Sequence, residues 1–390
     1  MKSLNHVIFL VIFTAGCAST TLAPPKIEDK GQRVSVMTFN VENLFDTEDD
    51  PEIADEAFLP LSKKRSEEFQ NKCRYQGLKY KDKGDQQKPI DPDAASLAVF
   101  RTDECLGKDW SPKVLARKMH RLTDVVKQVN NGKGPDILLL QEVENRAIVE
   151  RWRDEYLKEM GYQTLFHIDS PDERGIDTAI LTRFEAAGPP TLHLVDYTHE
   201  PTISEDDRRP TRGILEGRVK LPDGHTAAIF SVHLPSQGAA SIHRSVGLKT
   251  LMAATAKVPA GISVIVGGDF NITSAEEFKK RYYKNLLSKD FAISHKIGCK
   301  GCVGSTYYGQ DDTWSFFDVL LFAKPMLDGS SPWQVDPDSI RLVNSSRYQI
   351  DNRGKPAKFR TGLGSVGVSD HWPVYAEIFT PAQETAGAKQ

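Results

Sequence analysis

The sequence predicts two β-sheets packed face to face, with helices covering their outer faces. Three observations carry this expectation. Many short apolar strands are mixed with a few amphipathic helices, a pattern that needs layers of both kinds to bury its apolar surfaces. Some strands are near-continuous apolar runs, as expected where both faces are covered. Neither an internal repeat nor a clean linker divides the 390 residues. One large domain, residues 33–380 with a tail at 381–390, is therefore the simpler reading. A composition 39% hydrophobic and 26% charged suits a soluble chain with a sizeable core. The formal net charge of −3 gives no global attraction to nucleic acid or anionic lipid, so any such attraction must come from local patches.

The first residues lie outside this domain. Lys2 precedes the apolar run Val7–Phe13, which is too short to span a bilayer and has the layout of a secretory signal. Thr14-Ala15-Gly16-Cys17 resembles the lipobox of bacterial lipoproteins, with Thr14 in place of the usual Leu. That resemblance implies removal of the preceding residues and acylation of Cys17. With Ala18 rather than Asp next, it also implies sorting to the outer membrane, facing the periplasm or the surface. Acyl chains would hold the protein on a membrane without spanning it, and residues 18–32 would be the linker. A plain secretory signal is the alternative, and both readings export the protein. Cys73, Cys105, Cys299 and Cys302 then remain, an even number that in an exported chain reads as two disulfides. Four cysteines allow three pairings. Cys73–Cys105 and Cys299–Cys302 are favoured because each brackets one irregular segment. A zinc site of His295, Cys299 and Cys302 lacks a second Cys-x-x-C.

Val34–Phe39 alternates as a strand and delivers Asn40 at its end, with Asn43 just beyond. From 47 to 110 the chain is polar with little periodicity, and so long an irregular stretch reads as an insertion or functional loop. Between Lys63 and Lys88 nine Lys/Arg face four Asp/Glu, with Tyr75 and Tyr80 interleaved, which suits either a polyanion-binding patch or a solvated loop. Ser111-Pro112 opens a helix whose Leu115, Met119, Leu122, Val126 and Val129 recur at helical spacing, and Asn130-Asn131-Gly132 ends it. Asp136–Leu140 is a buried strand ending at Gln141-Glu142, before a helix over 145–160. Strands follow at 164–167, 178–182, 191–196, 214–220 and 226–233, the last delivering His233. A helix over 240–256 leads to the strand 263–267 and the turn Gly268-Asp269-Phe270-Asn271. Ser274 is expected to cap a helix reaching about 286. Asp318 opens a strand, and after the Gly-rich 362–365 loop Asp370-His371 opens the last one.

Each polar cluster thus sits at the end of an apolar strand, where a carboxylate must be paired or metal-bound to offset its desolvation. The donors are oxygens and imidazoles, which favour Mg²⁺, with Mn²⁺ or Ca²⁺ also possible, over zinc or copper. Glu142 and Asp370 are the first candidates for the metal. His371, oriented by Asp318, could act as a base for water, and a metal would stabilise charge on an attacked phosphoryl group. Nucleophile-elbow, P-loop and dinucleotide-binding signatures are absent.

Five motifs in one order carry a family resemblance: Thr38–Asp46, Pro135–Asn145, Val232–Ser236, Gly268–Asn271 and Ser369–Val374. The chain resembles the endonuclease/exonuclease/phosphatase superfamily, with the DNase I-like fold, from Val34 to Ile378. Its exported, extracellular-nuclease-like bacterial branch is the most similar, and Arg174–Asp177 and Thr211–Glu216 resemble that branch too. The resemblance implies an α+β, four-layer α/β/β/α sandwich of two mixed sheets. It implies a metal site of Asn40, Glu142 and Asp370, and catalytic roles for His233, Asp269, Asn271, Asp318 and His371. Here His371 pairs with Asp318, His233 contacts phosphate or protonates the leaving oxygen, Asp269 orients or activates water, and Asn271 faces the phosphorane. Asn43, Arg174, Asp177 and Arg212 would be substrate-side residues. Leu-Pro-Ser after His233 departs from many relatives, and 47–110 exceeds a minimal core. The expected function is an extracytoplasmic, Mg²⁺-dependent nuclease, expected as a monomer with no protein partner inferred; a lipid or small-molecule phosphoesterase is the alternative, and a non-catalytic binding lipoprotein the third.

Overall fold

The computed structural model describes residues 31–81, 102–208, 210–309 and 311–381. Cys17, the expected signal and most of its linker, residues 82–88 of the basic stretch and nearly all of the C-terminal tail lie outside the described residues. Fourteen strands are described: β1 (Arg33–Leu44), β2 (Ile137–Val143), β3 (Thr164–His167), β4 (Asp177–Thr182), β5 (Thr191–His193), β6 (Ile214–Lys220), β7 (Thr226–His233), β8 (Ser263–Asp269), β9 (Phe291–Ile293), β10 (Thr306–Tyr308), β11 (Thr313–Ser315), β12 (Asp318–Ala323), β13 (Gln334–Leu342) and β14 (Val374–Phe379). They form two six-stranded sheets, ordered β13-β14-β1-β2-β4-β3 and β5-β6-β7-β8-β12-β9, plus the ribbon β10-β11. Both large sheets are mixed: β1 runs parallel to β2 and β7 parallel to β8, while their other pairings are antiparallel.

Alternation within each strand builds the layers. Val34 and Val36 of β1 face the space between the sheets, with Ile137 and Leu139 of β2, Ile229 of β7, Ile265 of β8 and Leu320 of β12. Met37, Phe39 and Val41 point the other way, against helices α2 (Pro112–Val126) and α3 (Arg146–Tyr156). The second sheet's outer face, including Phe230, Val266 and Leu321, is covered by α4 (Ser241–Thr255) and the turn Tyr283–Leu287. The result is the four-layer α/β/β/α sandwich. Gly267 lets the sheets approach closely, because a Cβ there would meet Leu320 at 2.8 Å and Leu139 at 3.2 Å.

Several elements differ from expectation. The 47–110 insertion contains a helix, α1 (Glu67–Lys81), and short 3₁₀ turns at Glu56–Phe58 and Lys63–Arg65. Its lysines have internal partners: Lys63 meets Thr47 and Glu48, buried Lys64 donates to the carbonyls of Ala57, Cys105 and Lys108, and Lys72 bonds Asp49. This part of the basic stretch is therefore an internally braced turn of chain and not an open cationic patch. Cys73 is joined to Cys105 and Cys299 to Cys302, while His295 stacks on Phe316 with ring centroids 4.5 Å apart. Thr273, not Ser274, caps α5 (Ser274–Lys280), accepting from Glu276 N, and the helix stops at Lys280. The strand β13 was not expected, because Pro337 and three charged residues mask its period. It is an edge strand with a register shift between Asp336 and Arg341, where proline is tolerated.

Candidate active site

The same alternation that builds the core delivers the site. Asn40 faces inward like Val34 and Val36, Gln141 like Ile137 and Leu139, His233 like Ile229, Asp269 like Ile265, and Asp318 like Leu320. Each is the inward residue at one end of its strand. Register brings those ends together, with Asn40 opposite Gln141, His233 opposite Asp269, and Asp269 opposite Asp318. The turn before β14 adds Asp370 and His371 at the same edge, since Val374 pairs with Thr38. Below this edge, Thr38 donates to Gln141 at 3.1 Å and Gln141 to Ser231 at 3.2 Å, a polar layer tying the two sheets.

Glu142 would point toward the helices if β2 continued regularly, as Leu140 does. A register shift between Gln141 and Val143, with Glu142 in the left-handed region at φ 64°, re-aims it. Its Oε1 lies 3.2 Å from Asn40 Nδ2 and 3.9 Å from His233 Nε2. A matching shift in β1 between Asn40 and Leu44 holds Glu42 (φ 51°) and Asn43 (φ 62°) in the same conformation. Such backbone is costly for side chains other than glycine, and here it clusters at one edge of the sandwich.

Asp269 lies at the centre. Its Oδ1 accepts from Asn271 N at 2.8 Å and its Oδ2 from Asn40 Nδ2 at 3.0 Å. Two imidazoles flank Oδ2, His233 Nε2 at 3.5 Å and His371 Nε2 at 3.9 Å. Burial, together with Asp318 and Glu142, pushes the Asp269 carboxyl up to about 7, against the lowering effect of His371. His371 Nδ1 lies 2.7 Å from Asp318 Oδ2, and Asp318 is fully buried. Burial opposes a charged His371, but Asp318 and Asp269 outweigh it and hold the imidazole well above its ordinary range. His233 is held well below that range by burial and by the charges of Arg212, His371 and Arg174. One imidazole is thus kept charged and the other neutral around a carboxyl poised near neutrality.

Asn40 is held by hydrogen bonds at both ends of its amide. Its Oδ1 accepts from Glu42 N at 3.0 Å, which assigns the amide orientation and leaves Nδ2 facing both Glu142 and Asp269. Through that nitrogen Asn40 spaces the two carboxylates, and Oδ1, which has a second lone pair, is the atom it would offer a cation. Asn271 Nδ2 donates to the Leu234 carbonyl at 3.0 Å. Asn43 Oδ1 is buried without a hydrogen-bond partner. Arg212 is buried, 3.5 Å from Asp172 Oδ2, and Arg174 is exposed; the charge of both is felt at His233. Asp177 is buried, its Oδ1 accepts from Ser170 N, and its Oδ2 lies against His167.

Three charged residues of the site were missed from sequence. Lys118 of α2 is fully buried and donates to the carbonyls of Glu42 at 3.0 Å and Val368 at 2.6 Å. Burial lowers it to about 8 against the raising effect of Glu42, Asp370 and Glu142. A lysine four residues before Leu122 and three after Leu115, on the apolar stripe, was its available signal. Glu42 is pushed up to about 8 by burial and Asp370, and Lys358 Nζ sits 3.0 Å from Asp370 Oδ2. Nothing in local sequence marked these two. Glu142 and Asp370 are the carboxylates that fit a divalent cation. Carboxylates crowd this edge, the Glu42 carboxyl is pushed up partly by Asp370, and an all-oxygen set suits Mg²⁺.

Residues 35–84 and 100–380 match the model of the Endonuclease/Exonuclease/phosphatase family. No curated protein matches the sequence. Among solved structures, an endonuclease/exonuclease/phosphatase family protein from Bacteroides thetaiotaomicron is similar at TM-score 0.54 and 14% identity, covering 90% of this chain and all of that one. An endonuclease/exonuclease/phosphatase from Beutenbergia cavernae is similar at 0.50 and 14%, covering 90% and 72%. A mannosyl-6-phosphatase from B. thetaiotaomicron is similar at 0.50 and 13%, covering 88% and 99%.

Proposed function

The chain belongs to the endonuclease/exonuclease/phosphatase family, and from that premise we propose a divalent-metal-dependent phosphodiester hydrolase that cuts DNA or RNA outside the cytoplasm. Family membership supports the coarser statement, a phosphoric-ester hydrolase. The observation that carries the chemistry is Asp269 held between a charged and a neutral imidazole.

In this reading Asp269 takes a proton from the attacking water, its carboxyl being poised near 7. Asn40 and Asn271 N hold its two oxygens in place. As the water oxygen bonds phosphorus, the bond to the leaving oxygen breaks, its electron pair stays on that oxygen, and the oxygen takes a proton from solvent. The non-bridging oxygens then gather charge opposite the His371 imidazolium, which Asp318 keeps protonated and oriented. Neutral His233 presents Nε2–H to the same space, its Nδ1 being buried without a partner. A divalent cation held by Glu142 and Asp370, Mg²⁺ by donor type, would supply further positive charge to those oxygens.

A polymeric substrate is supported by the segment leading to the site. Arg347, Arg353, Lys355, Lys358 and Arg360 fall within 347–360, and Lys358 reaches Asp370. Such a stretch would track a phosphate backbone, with Lys358 the member that reaches the site, while Arg353 is paired with Asp351. A second reading, hydrolysis of a small phosphoester, is favoured by Arg174 and Arg212, whose charges are felt at His233 and suit a monoester's extra charge, and by the fold shared with a mannosyl-6-phosphatase.

The test incubates the protein, disulfides intact, with supercoiled plasmid, total RNA, sugar phosphates and bis-(4-nitrophenyl) phosphate in Mg²⁺, Mn²⁺ or EDTA, beside His371→Ala. Metal-dependent nicking that the variant loses supports the nuclease. Phosphate release with intact nucleic acid selects the second reading, and no hydrolysis of any substrate by folded protein overturns both. Export, with a lipid on Cys17 and a monomeric chain, belongs to the same proposal. No helix among the described residues is long and apolar enough to cross a membrane. Membrane fractionation of wild type against Cys17→Ser tests the anchor, and equal release of both into the soluble fraction would remove it.

A further inference from the structure

His167 closes β3 and Asp177 opens β4, so the two meet at one end of an edge hairpin whose connection is residues 168–176. His167 is buried, and its Nε2 has no hydrogen-bond partner although Asp177 Oδ2 lies 3.1 Å away. The ring N–H is not aligned on that oxygen. Donors about 2.1 Å from one ion, at angles between octahedral and tetrahedral, stand roughly 3.0–3.4 Å apart. The misaligned 3.1 Å contact fits two neighbouring ligands of one ion. Asp169 supplies a third group: its side chain is 85% exposed, its Oδ1 lies 3.8 Å from the ring's other nitrogen, Nδ1, and the carboxylate must turn toward Nε2 to share an ion with Asp177. One donor atom from each of the three lies within 4.8 Å of the others, the one such group among the described residues. Asp177 Oδ1 meanwhile accepts from Ser170 N, tying the connection back on itself.

We propose that His167, Asp169 and Asp177 form a second cation site, for a first-row divalent ion of the zinc type, that fixes the 168–176 connection. An imidazole with two carboxylates suits Zn²⁺ or Mn²⁺ better than Mg²⁺, which prefers oxygen throughout. None of the three belongs to the Glu142 and Asp370 pair. The connection carries Asp172, which meets Arg212, and Arg174, whose charge is felt at His233. An ion here holds both arginines in place without entering the reaction. The inference rests on the geometry of the hairpin and is independent of the hydrolase reading.

The experiment measures Zn²⁺ bound to the full-length protein by equilibrium dialysis and metal analysis in excess Mg²⁺. A Glu142→Gln/Asp370→Asn background removes the two carboxylates offered to the catalytic cation. One equivalent is expected, lost in His167→Gln and weakened at least about tenfold in Asp169→Asn, since even residues behind a ligand cost 10–100-fold when changed. Asp169 is exposed, so its variant folds and keeps the test meaningful if His167→Gln does not. Zn²⁺ should also slow amide exchange across 168–176 in wild type and not in Asp169→Asn. No zinc in the background protein, or binding indifferent to Asp169, overturns the site. Bound zinc with unchanged exchange overturns its role in fixing the connection.

Discussion

Asn40 Nδ2 donates to Asp269 Oδ2 at 3.0 Å, joining the end of β1 in one sheet to the end of β8 in the other. The same nitrogen faces Glu142, so a single amide spaces two carboxylates. Asn40→Asp replaces that donor with a third anion. We expect kcat on bis-(4-nitrophenyl) phosphate to fall by about 10²–10³, the usual cost of losing one preorganised donor. Asn40→Ala should fall less. Equal, small effects of both would show that the amide does not position Asp269.

Asp318 is buried and its one hydrogen-bonded oxygen meets His371 Nδ1. Asp318→Asn keeps the shape and removes the charge that holds the imidazolium. The expected loss is about 10²–10⁴ in kcat with KM nearly unchanged. A steady-state comparison checks this, and a change confined to KM would place His371 in substrate binding alone.

Gly268 pairs with Val232 between β7 and β8. An added Cβ would lie 1.9 Å from the Val232 carbonyl, a backbone atom that cannot yield without moving the strand. Gly268→Ala should cost about 2–4 kcal/mol in urea unfolding. It should also lower activity in the folded fraction by displacing His233 from Asp269. A variant as stable as wild type would contradict the register given for these strands.

His295, stacked on Phe316, is pushed down to about 3 by burial and by Lys296. Its folded value lies below the unfolded one, near 6.5, so the unfolded chain binds more protons between those limits. The neutral ring stabilises the fold above that window, and its contribution is lost as pH falls through it. The slope is at most about 1.4 kcal/mol per pH unit. His295→Phe should lose less Tm than wild type between pH 7 and pH 5, and identical losses would refute the assignment.

Chelation tests the catalytic cation. EDTA should abolish hydrolysis, and Mg²⁺ alone should restore it, because Glu142 and Asp370 offer only oxygen. Activity that survives EDTA would remove the cation from the catalytic proposal.

The layered fold was legible because its signals are local. Alternation in Val34–Phe39 and the apolar run Ile137–Leu140 state which faces are buried, and the Leu115, Met119 and Leu122 stripe marks the covering helix. Asn40, His233, Asp269 and Asp318 were legible for the same reason, each being a chemistry-bearing polar residue at the end of a largely apolar strand. β13 was not legible, since Pro337 and its register shift break the period on which strand recognition depends.

The sequence by itself determined which side chains stand at the strand ends and therefore what chemistry they carry. Only the tertiary structure decided how they are shared. Whether Asn40 offers its oxygen or its N–H depends on Glu42 N two residues on, in a bulge that pairing creates. Likewise, Glu142 enters the site because a register shift turns it there, and Lys118 belongs to it because α2 packs beneath Glu42 and Val368. The protonation of the two histidines follows from burial and from charges on distant strands, Asp318 and Asp269 for one and Arg212 for the other. Periodicity is a property of neighbouring residues, whereas electrostatic potential and hydrogen-bond direction sum over everything that folding brings near.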